Sequence, residues 1–192
     1  MNFKIYDILS SLVPGFLFLI VIFKFFGILY DKDQLVLYTA LAFFIGYIIN
    51  TLSSWLEDVY FYSWLGKPSD CLLDGKDIWK VRFYESKKVK ELLKSKTEQS
   101  NPTNNELFAI AMRDTNPKDG LIEDLNSSYA FSRSLLTCTL LSGILLSFRY
   151  YNDWRFYLVF LIVTLIIWLR CKQRAYYYAR EILNCYLKNK VS

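Results

Sequence analysis

Thr39, Ala42, Gly46, Asn50, Ser53 and Glu57 recur at intervals of three and four residues through and just past the otherwise bulky apolar stretch Leu35 to Trp55. At about 100° per residue an α-helix gathers them on one narrow face. Two uses fit small and polar side chains at that spacing. They can line a wet path, because hydrocarbon leaves their hydrogen bonds unmade and drives them toward water or the bundle interior. They can also let two helices approach closely, with Asn50 as interhelical glue. A later apolar stretch echoes the pattern with Ser132, Thr139, Gly143 and Ser147. The first face runs the full depth of its helix, whereas a packing face need cover only one neighbour's contact, and this tips the expectation toward a path. Four short spans enclose little room, so a pore would need several protomers.

Other chemistry is sparse. The chain has no histidine, which removes the commonest general base and metal ligand. No Gly-rich phosphate loop, nucleophile elbow or paired-carboxylate motif occurs, so neither catalysis nor a cofactor is expected, and no metal site. Glu57-Asp58 could hold a cation, although charges at a helix end near a membrane surface are ordinary. Lys87, Lys88, Lys90, Lys94 and Lys96 could meet a phosphorylated ligand, nucleic acid or anionic lipid. Glu85, Glu91 and Glu98 dilute that run into a solvated face. Arg170, Lys172 and Arg174 form the purer basic cluster, and its ordinary use is topology and lipid headgroups.

The elements that must carry these residues follow from hydropathy. Of 192 residues 54% are hydrophobic, while the 21% that are charged concentrate outside four apolar runs. These are Ile8 to Tyr30, Leu35 to Trp55, Phe131 to Phe148 and Trp154 to Leu169. A bilayer core of about 30 Å takes roughly 20 helical residues; the shorter third and fourth runs can borrow length from Tyr129, Tyr150, Tyr151, Trp154 and Trp168. Pro14-Gly15 marks a bend or a close-packing point in the first run. The expected fold is therefore all-α: a polytopic membrane protein with four transmembrane helices and a helical cytoplasmic module. Residues 1–56 hold helices one and two, 57–130 the insert, 131–169 helices three and four, and 170–192 a C-terminal helix.

Lysine and arginine placement puts N-terminus, insert and C-terminus in the cytoplasm. No disulfide is expected among Cys71, Cys138, Cys171 and Cys185 there. Within the insert the spacing predicts an irregular segment from Gly66 to Phe83, a helix from Glu85 to Lys96, and a break at Ser100 to Thr103. A second helix, Asn104 to Asp114, opens on the capping box Thr103-Glu106. A turn at Asn116 to Gly120 then leads into one helix from Leu121 to Phe148. The tail extends the fourth span, with Ala175, Tyr178, Ala179, Ile182, Leu183 and Tyr186 forming an apolar face that must pack on the insert or a neighbouring subunit.

The order of elements, Leu12-Val13-Pro14-Gly15 in the first span and Tyr129-Ala130-Phe131-Ser132-Arg133 at the start of the third resemble the small four-span membrane partners of two-gene bacterial antiphage systems such as Hailong and Kiwa. The Hailong-type resemblance implies a homo-oligomeric, tetrameric channel effector that depolarises the cell under control of a nucleotide or oligonucleotide. The Kiwa-type resemblance implies a non-conducting membrane sensor that docks a soluble defence partner. The polar face favours the channel, with membrane lipids as its other partner and the cytoplasmic helices as its gate.

Overall fold

The computed structural model describes residues 5–76, 81–97, 101–115 and 120–191. The expected turn at Asn116 to Asp119, Glu98, and the Ser100 end of the expected break lie outside them. Among the described residues the chain forms α1 (Ile5–Phe26), α2 (Leu35–Trp55), α3 (Glu57–Ser63), α4 (Pro68–Leu73), α5 (Ser86–Lys94), α6 (Asn104–Asp114), α7 (Gly120–Arg149) and α8 (Trp154–Val191). Three segments among the described residues are long and apolar enough to cross a membrane, Lys32–Trp55, Gly120–Arg149 and Trp154–Lys190, and Ser10–Phe26 is a shorter apolar helix.

The chain divides into two compact units. The first comprises Met1–Glu57 and Ser127–Cys171. Here α1 and α2 form a hairpin closed by a short 3-10 turn, Lys32–Gln34, whose preceding Asp31 accepts the Asp33 N–H at 3.0 Å. Leu19, Tyr38 and Ala42 make a small core between the two helices, and Phe23 meets Tyr38 edge to face at 5.0 Å. Gly27, at φ +71°, ends α1 in the left-handed conformation that glycine adopts without strain. The α1 carbonyls of Lys24 and Phe25, left over at the helix end, accept from Arg149 Nη1 at 2.8 and 3.0 Å. By contrast, the first half of α8 exposes Leu158, Leu161, Ile162, Leu165, Ile166 and Leu169 within this unit.

The second unit comprises Asp58–Asn126 and Lys172–Ser192. Its core joins Leu72 and Leu73 of α4, Val89 and Leu93 of α5, Leu107 and Ala111 of α6, and Tyr176, Ala179, Ile182, Leu183 and Tyr186 of α8. The apolar face of the tail thus packs on the insert. Each of its large side chains contributes on the order of 1.5–3 kcal/mol when fully buried. Thr103 and Glu106 form the expected capping box, and α6 occupies the expected residues. The insert departs from expectation between Gly66 and Phe83, where α4 replaces part of the irregular segment. Pro68 at its first turn lacks the N–H that a helix start would leave unpaired, and burial of Leu72 and Leu73 supplies the stability that six residues lack alone.

Candidate functional site

The polar face of α2 meets two different neighbours within the first unit. In its middle, Gly46 and Ala42 lie against α1. A Cβ on Gly15 would overlap the Ala42 carbonyl, and one on Gly46 would overlap the Ser11 carbonyl, so the two backbones touch. Small residues at this spacing permit such an approach, and here two on each helix are used.

One to three turns further along, the same face meets α7 through side chains. Ser134 donates to Asn50 Oδ1 at 2.9 Å, while Ser53 donates to the Asn50 carbonyl at 2.7 Å and lies 3.4 Å from Ser134 Oγ. Ser53 and Ser134 are fully buried. At the end of the row Glu57 accepts the Tyr129 hydroxyl at 2.7 Å and pairs with Arg133 Nη1 at 2.9 Å. Arg133 Nη2 donates to Ser54 at 3.2 Å, and the guanidinium lies over the Tyr129 ring at 5.3 Å. Arg133 is only 9% exposed, and its Nε lies buried without a partner. A charge so enclosed is tolerable only because Glu57, Ser54 and an aromatic face share it.

Arg133 organises this seam, although in the sequence it stands only as the last residue of the Tyr129–Arg133 motif and carries no site role. The signal was present: an arginine four residues after Tyr129 in an apolar stretch, on the same helical face, needs an acid, and Glu57 lies in the other stretch with a polar stripe. Asp58 does not join its neighbour. It belongs to the second unit and faces Lys67 at 3.7 Å.

The remaining predicted positions lie apart from the seam. Thr39 is exposed and donates to the Leu35 carbonyl of its own helix at 2.9 Å. Thr139 and Ser147 likewise bond the carbonyls of Leu135 and Ile144, so their hydroxyls are satisfied locally. Ser132 does the same with Ser128. Gly143 packs under the Phe160 ring of α8. Beside it a groove of about 330 Å³ runs past Leu17, Cys138, Thr139, Ser142 and Phe156. Cys138 donates to the Pro14 carbonyl at 3.3 Å, and all four cysteines are free thiols.

The predicted basic residues lie on α5 and α8. Lys87 and Lys88 are exposed on α5, Lys172 donates to the Trp64 carbonyl at 3.3 Å, Arg174 is half-buried, and Arg170 is exposed in the first unit. Nearby in the second unit Asp74 binds Lys90 at 2.7 Å and Asn104 at 2.9 Å, which holds its carboxyl below the ordinary carboxylate range. Burial has the opposite effect on Asp70 and pushes its carboxyl up. No group of His, Cys, Asp or Glu able to hold a metal occurs among the described residues.

What this arrangement can do is mechanical and electrostatic: it clamps α2 to α7 with a short hydrogen-bonded ladder, the first residue of α3 to α7 with one ion pair, and α2 to α1 with backbone contact. Comparison with family models, with curated proteins and with solved structures returned no match to this chain.

Proposed function

We propose that the chain is an integral inner-membrane protein of four spans, α1 included, that acts as a non-conducting anchor and sensor. Its helical module docks a soluble partner on the cytoplasmic side, where both termini lie. One observation carries this reading over the channel: Gly46, Asn50, Ser53 and Glu57, which would line a path, are all engaged with α1 or α7 of the same chain. Hydrogen bonds between spans satisfy groups that hydrocarbon would leave unmade, which is reason enough for a stripe of this composition. The resemblance to membrane partners of antiphage systems supports a defence setting and a soluble partner of that kind.

The channel remains the second reading, favoured by Thr139 and Ser142 along the groove beside Gly143. It requires an oligomer in which that groove, rather than the seam, faces the path. Ion flux into vesicles holding the purified protein separates the two readings. The anchor predicts no flux above empty vesicles, with or without nucleotides. Flux that Thr139→Leu abolishes would replace the anchor with a channel.

A further inference from the structure

The end of α3 carries an anomaly in the second unit. Leu65 has φ +66°, the left-handed conformation that side chains other than glycine and asparagine seldom adopt. Around it the chain closes the helix with the pair of hydrogen bonds that usually brackets a glycine: Gly66 N–H to the Phe61 carbonyl at 3.0 Å, and Leu65 N–H to the Tyr62 carbonyl at 3.1 Å. A glycine at 65 would make this turn without strain. The position instead holds a leucine that is 93% exposed, with Tyr62 87% and Val59 58% exposed at three-residue intervals before it. In water the strain and the exposed apolar surface are both unfavourable, and at 93% exposure Leu65 has almost no contact among the described residues to offset them.

We infer that Val59, Tyr62 and Leu65 seat in the boundary between the headgroups and acyl chains of a lipid bilayer. The inference rests on the membrane reading proposed above. Covalent reach selects lipid as the occupant. α2 ends at Trp55 and α3 begins at Glu57, so the membrane edge lies within two residues. The seven residues of α3 rise only about 10 Å, comparable with the depth of the interfacial zone. The composition agrees with that zone. Tyr62 combines a ring with a polar tip, and Lys67 carries an ammonium on a flexible stem close to Asp58. Phe61 and Trp64 meet ring to ring at 5.4 Å, and Trp64 is fully buried, so only one side of the helix is offered outward.

Photo-crosslinking of the full chain in phosphatidylethanolamine–phosphatidylglycerol vesicles tests this. A benzophenone side chain is introduced singly at Leu65, at Tyr47 on an exposed position of α2, and at Met112 on α6. The expected result is phospholipid adduct at 65 in a yield close to that at 47 and several-fold above that at 112. Adduct at 47 with none at 65, or with a protein adduct at 65, overturns the inference and leaves the membrane reading standing. Absence of lipid adduct at 47 as well overturns both.

Discussion

The α1–α2 crossing and the α2–α7 seam occupy successive turns of one helix face, yet different forces hold them. At the crossing, Gly15, Ala42, Gly46 and Ser11 bring main chain against main chain, and nothing ionisable takes part. At the seam, Asn50 of α2 meets Ser134 through a hydrogen bond, and just past α2 the first residue of α3, Glu57, joins Arg133 and Tyr129 through one ion pair and a second hydrogen bond. A row of small and polar residues is therefore not one device. Glycine and alanine grant proximity, which costs nothing to desolvate; asparagine and glutamate demand partners, and whatever supplies them fixes the register of the neighbouring helix.

The largest effect is expected at Gly46. Gly46→Ala drives a methyl into the Ser11 carbonyl, which cannot give as a side chain can, and should cost about 3 kcal/mol or more. Denaturation of the detergent-solubilised protein measures it, and a loss below about 1 kcal/mol would mean that the helices do not touch. Next comes Arg133→Ala. Breaking a buried pair costs about 3–5 kcal/mol, but Glu57 is about a third exposed, so water screens part of the loss and about 2–3 kcal/mol is expected. The double variant with Glu57→Gln should recover part of it, since no unpaired charge then remains.

Gly143→Ala sharpens the point about backbone. Its methyl meets the Phe160 ring, whose far end can turn away, so about 1 kcal/mol is expected, well below Gly46→Ala. Ser134→Ala removes one interhelical hydrogen bond from the seam and should cost about 0.6 kcal/mol, the average for such bonds between apolar helices, and no more than about 1.7. The smallest effect belongs to the second unit. Asp74 has its carboxyl pKa lowered in the folded chain, so its contribution is present above the unfolded value of about 3.9 and disappears as pH falls through the folded value. Asp74→Asn should flatten the acid limb of unfolding and leave the seam's response to Arg133→Ala unchanged.

How much of this was legible differs from element to element. The start of α6 was readable because Thr103 and Glu106 satisfy each other's backbone groups over four residues, a wholly local matter. The buried face of α8 was readable from its period, since apolar residues at helical spacing in water need a cover. The identity of what lies against the α2 face was not, because periodicity states which side of a helix is special and says nothing of the neighbour. Gly46 and Asn50 look alike in that pattern and serve different helices. α4 escaped notice because six residues opening with proline read as a loop, and only the burial of Leu72 and Leu73 makes them helical.

The bond from Arg149 to the carbonyls of Lys24 and Phe25 also sets an order in time. The partners lie 125 and 124 residues apart. At roughly 5–20 residues per second, on the order of ten seconds passes on the ribosome between them. Asn50 waits in the same way for Ser134, 84 residues later. Throughout that interval the α1–α2 hairpin carries open carbonyls at one end and an unpartnered amide at the other, and the surroundings must satisfy them. The first hairpin is thus completed only by a helix that has not yet been made.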